Sequence, residues 1–242
     1  MHKFFVTASS VVGGNIVIEG DDARHISFSL RMKKGDKLCV ATDDLKDCFC
    51  TIVDFFDGKV ALKVDSVKEA SSESPCQISL FQALPKGDKL ETIIQKAVEC
   101  GVYSITPFQS SYCISKIKDT EKKLERWNRI ALEAAKQCGR SIVPKVLPPI
   151  SYIDAIKEAA KSELPLFCYE NENTNKLGDV LRDNNAKTIS IVVGSEGGFS
   201  PEEADFASEN RLLSLSLGPR ILRCETASCF VLACIALVRE LS

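Results

Sequence analysis

The sequence is poor in metal-binding residues and has no segment long enough to cross a membrane. Its two histidines and eleven scattered cysteines include no C-x-x-C pair. A metal site is therefore not predicted, and the odd number of thiols fits reduced cysteines buried in a core. The longest apolar stretch, residues 227–238, is shorter than the roughly 18 residues that a membrane span needs. Polar residues also interrupt any apolar leader within residues 1–10. We therefore expect a soluble, cytoplasmic protein.

The chain has little net charge, but its charge is unevenly distributed. The formal value of −2 gives no overall attraction to nucleic acid. Between Lys86 and Lys145, however, there are twelve basic and seven acidic residues. Such a stripe is typical of a surface that contacts a polyanion, and charge alone leaves a solvated lysine surface as the alternative.

Two regions of the chain have different patterns. The first seventy residues contain β-rich runs separated by Gly-Asp, Asp-Asp and Asp-Gly turns, which predicts a small barrel. One helix is predicted within it, capped by Asp21 or Asp22. Segment 68–75 is polar and ends in proline. We therefore predict a first domain at residues 1–70, a linker at 71–75 and a second domain at 76–242.

Strands and helices alternate in the second region. The runs "QISLFQAL", "LPLFCYE" and "TISIVVG" are short and continuously apolar, as in parallel strands that are covered on both faces. Segments 87–102 and 121–138 have apolar residues at helical spacing. The pattern predicts an α/β fold with a parallel sheet.

A glycine-rich stretch follows the apolar run "TISIVV". It contains Gly194, Gly197 and Gly198 at a strand end, where open α/β sheets bind ligands. Ser200 and Glu203 form a predicted capping box, so the next helix starts several residues later. Neither the dinucleotide-binding nor the P-loop pattern is present. The stretch predicts main-chain contacts to a flat polar ligand such as a purine, with a purely conformational turn as the alternative.

Charged residues follow a second glycine at a strand end. Gly218 precedes Arg220, Arg223 and Glu225. Charged side chains beside a core are costly unless they have partners. A bound ligand would supply such partners, and a salt-bridge cluster is the alternative.

Together the two stretches resemble the signatures of a known enzyme family. Residues 194–199, GSEGGF, and 217–227, LGPRILRCETA, are similar to the G-P-E-G-G-F and L-G-x-R-I-L-R-x-E-T-A signatures of the RsmE family. Its members are bacterial 16S rRNA uridine-N3 methyltransferases of the SPOUT superfamily. Further similar segments, such as "PKGDKLETIIQKAVECGVYSITP", extend the resemblance over nearly all 242 residues.

Two sites depart from the family pattern. Ser195 stands where proline is usual, which loosens the loop but keeps its hydrogen-bonding backbone. Residues 111–113, Ser-Tyr-Cys, stand where relatives have an acidic residue and an arginine before a serine. An arginine that is expected to contact phosphate is therefore missing, although Lys116 and Lys118 are near in sequence.

The resemblance implies a fold, a cofactor and an assembly. The fold is an α/β, SPOUT-type trefoil-knotted parallel sheet with helices on both faces, plus a small N-terminal PUA-like β-barrel that binds RNA. SPOUT enzymes are homodimers through the knotted domain and bind S-adenosyl-L-methionine in a bent shape. The residues implied to bind the cofactor are Tyr169, Glu170, Val193, Gly194, Ser195, Glu196, Gly197, Gly198, Leu215, Ser216, Leu217, Gly218, Ile221, Leu222, Thr226 and Ala227.

The resemblance also implies a reaction, methylation of uracil N3 in 16S rRNA within the small ribosomal subunit. The reaction removes a proton from N3 and leaves an anion. Arg220 and Arg223 are candidates to stabilise that anion, and Glu225 or Glu196 either to accept the proton or to orient an arginine. The expected RNA contacts are Arg24, Arg31, Lys33, Lys34, Lys86, Lys116, Arg126, Arg129 and Arg140.

Two other functions remain open at this point. One is a catalytically inactive RNA-binding module of the same fold, which would not bind S-adenosylmethionine. The other is a nucleotide-dependent enzyme whose glycine loop binds phosphates, which would prefer ATP to S-adenosylhomocysteine.

Overall fold

The structure is a computed structural model that describes residues 1–114, 120–172 and 174–241. It forms two compact units. Unit 1 comprises Met1–Glu73 and Ala135–Val143, and unit 2 comprises Ser74–Ala134 and Pro144–Ser242. The predicted linker at 71–75 spans the division after Glu73, but nothing in the sequence indicated that residues 135–143 return to unit 1.

Unit 1 contains a five-stranded sheet with the order β1-β3-β4-β5-β2. The predicted strands are confirmed, and β1, which pairs with β3 in parallel, is additional. In the described residues β1 and β2 each pair with one neighbour, so closure into a barrel stays a prediction. The strands are β1 (Lys3–Val6), β2 (Asn15–Ile18), β3 (Lys37–Thr42), β4 (Lys46–Phe56) and β5 (Lys59–Glu69).

The helical segment of unit 1 differs from its prediction. Helix α1 (Gly20–Arg24) is followed by a single π-helical turn over residues 25–29. The predicted cap at Asp21 or Asp22 is wrong, because both residues lie inside α1. Their carboxylates bind cations instead of amides: Asp21 pairs with Arg24, and Asp22 accepts a hydrogen bond from Lys136 at 2.7 Å.

A buried ion pair in unit 1 overturns one predicted RNA contact. The side chain of Arg140 is only 5% exposed, and its Nε donates to Glu73 Oε2 at 3.1 Å. The other carboxylate oxygen of Glu73 accepts from the amides of Ser141 and Ile142, at 2.7 and 3.0 Å. Arg140 is thus buried against its own unit, and the prediction that it contacts RNA is wrong.

Substitution of Glu73 by glutamine is expected to destabilise the protein by about 3 kcal/mol, because removing one partner leaves a buried charge uncompensated. The free energy of unfolding in urea measures this loss. The matched control is Glu91→Gln, which breaks the more exposed Arg126–Glu91 pair at 2.7 Å. It should cost less than about 1 kcal/mol. Equal losses for the two variants would contradict the prediction.

Unit 2 is a parallel α/β structure, as predicted. The described part of this unit has seven strands, all parallel, with the order β12-β10-β11-β6-β7-β8 and with β9 paired to β7. The strands are β6 (Gln77–Ala83), β7 (Ser104–Gln109), β8 (Lys145–Val146), β9 (Ile150–Ser151), β10 (Leu164–Cys168), β11 (Thr188–Val193) and β12 (Leu213–Leu215). The helices are α2 (Lys89–Glu99), α3 (Thr120–Cys138), α4 (Tyr152–Ala159), α5 (Leu177–Arg182), α6 (Pro201–Glu209) and α7 (Cys224–Glu240). None of the described helices is long and apolar enough to span a membrane.

Helices cover both faces of this sheet. Phe81 and Val192 share a core with residues of α4 and α6. Gln82, one position further along β6, points to the opposite face, because successive side chains of a strand alternate. There it accepts a hydrogen bond from Ser228 of α7. The capping box of α6, formed by Ser200 and Glu203, is confirmed.

Candidate functional site

A pocket of about 410 Å³ lies where strands β10, β11 and β12 end. Its volume is within the range of about 300–1,000 Å³ that is typical of ligand sites. Three segments form its walls: residues 168–170, residues 193–198 and residues 215–222. All predicted cofactor-binding residues line it except Thr226. Cys168, Pro219 and Cys224 line it as well and were not predicted.

The glycines of segment 194–198 are required by close packing of the chain itself. A Cβ on Gly197 would lie 2.8 Å from Tyr112 Cβ, and one on Gly194 would lie 3.2 Å from the Cα of Gly198. Gly198 has φ +67°, and its Cβ would overlap the carboxylate of Glu170. The Gly198 amide donates to the Ser195 carbonyl at 3.0 Å, which closes a tight turn. The turn therefore admits side chains at few of its positions.

A buried network of hydrogen-bonded side chains holds the glycine turn in place. The fully buried Gln82 donates through Nε2 to the carbonyl of Gly194 at 3.2 Å. Ser228 donates to Gln82 Oε1, and the Ser228 hydroxyl also lies 3.0 Å from the Cys224 carbonyl. Phe199, just after the turn, is buried with its ring centroid 4.4 Å from that of Phe167. The turn is thus fixed to the sheet and to α7.

Ser195 has an unusual environment in the pocket wall. Its hydroxyl oxygen is buried and has no hydrogen-bond partner within the described residues. Most buried side-chain polar atoms have at least one partner. Ser195 is thus the one lining residue of the pocket, among the described residues, whose buried side-chain oxygen lacks a partner.

Lys89 joins the loop after β6 to the glycine turn. Its Nζ donates to Glu196 Oε1 at 2.6 Å and lies 3.8 Å from Glu225 Oε2. Glu196 also accepts from the Lys86 amide at 3.2 Å. The sequence analysis missed Lys89 as a site residue, although its place six residues after the end of β6 was a usable signal.

Glu196 and Glu225 both stay ionised at neutral pH. Burial pushes the pKa of Glu196 upward, but the hydrogen bond from Lys89 and the backbone amides outweigh it, so this pKa lies below its ordinary value. The pKa of Glu225 is also lowered, first by a backbone hydrogen bond at its own amide and then by Cys224, Lys89 and Arg223. A carboxylate with a lowered pKa is a weak proton acceptor. This favours a role in positioning for Glu196.

Arg220 and Arg223 carry uncommitted positive charges at the pocket. Arg220 lines the pocket, whereas Arg223 precedes α7 and is exposed, as is Glu225 in part. Neither arginine side chain makes a hydrogen bond or an ion pair within the described residues. The described residues therefore show no salt-bridge cluster between these arginines and Glu225, which was the alternative explanation for the charged residues. Both guanidinium groups remain available to an anion.

The unusual segment 111–113 packs against the glycine turn. The amide and the hydroxyl of Ser111 donate to Glu203 Oε1 at 2.8 and 3.0 Å. Tyr112 approaches Gly197, and its side chain is about half exposed. Cys113 Sγ lies 3.2 Å from Ser110 Oγ. Ser111 and Cys113 thus make contacts that hold the loop after β7.

Two thiols in the pocket wall have pKa values well above that of an ordinary cysteine. Burial raises the pKa of Cys168 to about 12. Burial, followed by a hydrogen bond to Glu225, raises the pKa of Cys224 to about 12. Both side chains are therefore neutral thiols at neutral pH.

The predicted RNA-binding residues fall into several groups. Lys86 is exposed after β6, and on α3 Arg129 is exposed while Arg126 pairs with Glu91. In unit 1, Arg24 pairs with Asp21 and Lys34 pairs with Asp54, at 2.5 Å for the second pair. Arg31 and Lys33 are exposed. Lys116, like Lys118, lies outside the described residues.

Comparison with known proteins agrees with this architecture. Residues 72–236 match a family model described as an RNA methyltransferase domain. The ribosomal RNA small subunit methyltransferase E of Bacillus subtilis is 33% identical over 233 residues, which cover 93% of this chain and 90% of the relative. The enzyme of the same name from Mesomycoplasma hyopneumoniae is 33% identical, with 96% and 97% of the two chains covered.

A solved structure is similar over its full length. The ribosomal RNA small subunit methyltransferase E of Neisseria gonorrhoeae, bound to S-adenosyl methionine, is 29% identical with a TM-score of 0.86 over 98% of both chains. The fold is thus that of an RNA methyltransferase. Within that class, this chain belongs to the ribosomal RNA small subunit methyltransferase E family, which confirms the resemblance found in the sequence.

Proposed function

We propose that this protein uses S-adenosylmethionine to methylate N3 of a uridine in 16S rRNA. The observation that carries the proposal is a pocket at parallel strand ends whose lining includes four glycines and Arg220. Arg223 lies next to it in sequence, and neither arginine is paired within the described residues. Close-packed glycine walls suit the adenosine and methionine parts of the cofactor, and the arginines suit a base that becomes an anion.

The residues present fit this cofactor. Some backbone groups here already have partners, such as the Gly194 carbonyl, which accepts from Gln82, and the Ser216 amide, which donates to the Asn175 carbonyl. The polar edge of an adenine would pair with the remaining N–H and C=O groups of the glycine turn and of segment 215–218. The buried Ser195 hydroxyl without a partner is the kind of group that a bound polar molecule would satisfy. The bound cofactor supplies an activated methyl group on a positively charged sulfur.

Loss of the N3 proton leaves negative charge on uracil, and Arg220 and Arg223 stabilise it by charge-assisted hydrogen bonds. Glu196 holds the turn through Lys89, and Glu225, whose pKa is lowered, orients the cations around it. The proton itself passes to solvent or to a weakly basic carboxylate.

Several further features belong to this proposal. They are a trefoil knot in unit 2, a PUA-like role of unit 1 in RNA binding, cytoplasmic location and an assembled small subunit as the substrate. A homodimer through α7 is supported by its exposed apolar side chains, Phe230 and Leu237. The helix would then be an interface as well as part of the core.

Titration calorimetry and nucleoside mapping test the function. S-adenosylmethionine should bind more tightly than ATP, which would exclude the phosphate-binding alternative. Absence of binding heat with the cofactor would instead support the inactive RNA-binding module. Cells that lack the protein should lose one N3-methyluridine from 16S rRNA, and an unchanged nucleoside map would contradict the proposed reaction.

The contact between Lys89 and Glu196 gives a separate prediction. Glu196→Gln removes the charge that holds Lys89, so cofactor affinity should fall about tenfold while the fold is retained. The folded-state pKa of Glu196 is below its ordinary value of 4.5. The contact is therefore complete above pH 4.5 and is lost only as the pH falls through the lower, folded-state value. Cofactor affinity of the wild type should accordingly show no titration of this group between pH 6 and 8.

Glu202→Gln is the matched control for this variant. Glu202 also has a lowered pKa, caused first by its own backbone hydrogen bond, but it does not line the pocket. Calorimetry should find the affinity of the control unchanged. An equal loss in both variants would show that the effect of residue 196 is not local.

A further inference from the structure

An exposed phenylalanine of unit 1 lies in a stretch of sequence that is rich in cationic residues. Phe28 is 76% exposed, although its neighbour in the same turn, Ile26, is completely buried. Ser27 and Ser29 flank the ring along the chain, so it is not part of a continuous apolar run. Exposure of this extent means that Phe28 contributes little to the core.

Hydrogen bonds fix the main chain that carries this ring. Phe28 belongs to the π-helical turn of residues 25–29, in which the Leu30 amide donates to the His25 carbonyl at 2.9 Å. The Met32 amide donates to Ile26 at 3.1 Å, and Ser27 Oγ donates to Ala23 at 2.8 Å. Arg31 has a left-handed backbone with φ +53°, which is unfavourable for a side chain of this size. Single π-turns and strained residues occur frequently at functional sites.

Two cations that follow Phe28 closely along the chain are uncommitted. Arg31 and Lys33 are exposed and form no ion pair within the described residues. Arg24 and Lys34 are also near in sequence, but they pair with Asp21 and Asp54. An aromatic face with adjacent cations is the combination that binds single-stranded nucleic acid, because the base stacks on the ring while the cations contact the phosphates.

From this arrangement we infer that Phe28 is a stacking site for an unpaired RNA base, with Arg31 and Lys33 contacting the adjoining phosphates. The inference rests on the proposed RNA substrate and adds to it a base contact outside the cofactor pocket. A protein partner is less well matched, because such interfaces depend on a continuous, well-packed group of buried anchors rather than one ring between two serines.

RNA binding by the full-length protein tests this inference. The probe is a fluorescent ten-nucleotide oligouridylate, compared with a duplex RNA of the same length. Phe28→Ala should weaken binding of the single strand about tenfold, within the range that loss of one stacked base causes. Phe28→Tyr should bind as the wild type does. The control is Phe56→Ala, which removes another exposed phenylalanine of unit 1 and should change nothing.

Salt dependence separates stacking from charge. Phe28→Ala should leave the slope of log K against log salt unchanged, whereas Lys33→Ala should reduce the slope by about one. A tryptophan introduced by Phe28→Trp should lose fluorescence when the oligouridylate binds. The native Trp127 is buried and is the only other tryptophan.

Three results with the variants would overturn the inference. They are unchanged affinity of Phe28→Ala, unchanged emission of Phe28→Trp at saturating RNA, and loss of a self-associated species at unaltered RNA affinity, which would assign the ring to a protein contact. No binding of oligouridylate by the wild type would overturn it as well. Cofactor binding and rRNA methylation are measured separately, so failure here is distinguishable from failure of the proposed function.

Discussion

Arg223→Ala is expected to lower the rate of methyl transfer at least a hundredfold while the affinity for S-adenosylmethionine changes less than about twofold. Arg223 is exposed next to the pocket and does not line it, so its loss leaves the cofactor walls intact. Donors that stabilise a developing anion are typically worth two to three orders of magnitude in rate. Single-turnover transfer to small subunits measures the rate, and calorimetry measures the affinity.

Two comparisons make this prediction specific. Arg223→Lys keeps the charge but loses the planar pair of donors, so it should recover only part of the rate. Arg126→Ala removes an arginine from α3 and should affect the apparent affinity for RNA more than the rate of a saturated complex. A near wild-type rate for Arg223→Ala would show that the anion is stabilised elsewhere.

Gly197→Val is expected to abolish measurable cofactor binding, a loss of at least a hundredfold. The first atom of any side chain at this position would lie 2.8 Å from Tyr112 Cβ, a separation that packed side chains do not tolerate. Either the turn or the loop that contains Tyr112 must shift. The turn is fixed by Gln82 and by the anchored Phe199, so relief requires distortion of the pocket wall.

Gly178→Val is the matched control. Gly178 lies in α5, and the nearest atom to its Cβ would be the flexible end of Arg182 at 3.4 Å. This variant should bind the cofactor normally, as judged by calorimetry, with an unchanged circular dichroism spectrum. A second test is Tyr112→Gly in the Gly197→Val background, since removal of Tyr112 Cβ should restore part of the binding. Normal cofactor binding by Gly197→Val alone would contradict the steric account.

The walls of the pocket could be predicted from the sequence because each one begins where an apolar strand ends. Gly194 and Tyr169 follow such strands directly, and Gly218 lies three residues after the end of a third. Parallel strands place their carboxyl ends at one edge. Position along the chain therefore indicated position in space. The resemblance to the RsmE family then indicated the identity of the cofactor, which the residues alone did not determine.

Contacts between distant segments could not be predicted in this way. Lys89 meets Glu196, and Gln82 meets Ser228, across more than a hundred residues. Ser195 differs from both, because its lack of a partner is visible only when every neighbouring atom is known. The burial of Arg140 was missed for the same reason, since its partner Glu73 lies in the segment that was taken for a linker.

The two neutral thiols in the pocket wall bear on whether the protein could methylate its own cysteines. A methyl sulfonium is an alkylating agent, and a thiolate beside it would be methylated in place of the RNA. With pKa values raised to about 12, Cys168 and Cys224 stay protonated at neutral pH. A methyl donor bound in this pocket, as proposed, would therefore lie beside neutral thiols, which are poor nucleophiles.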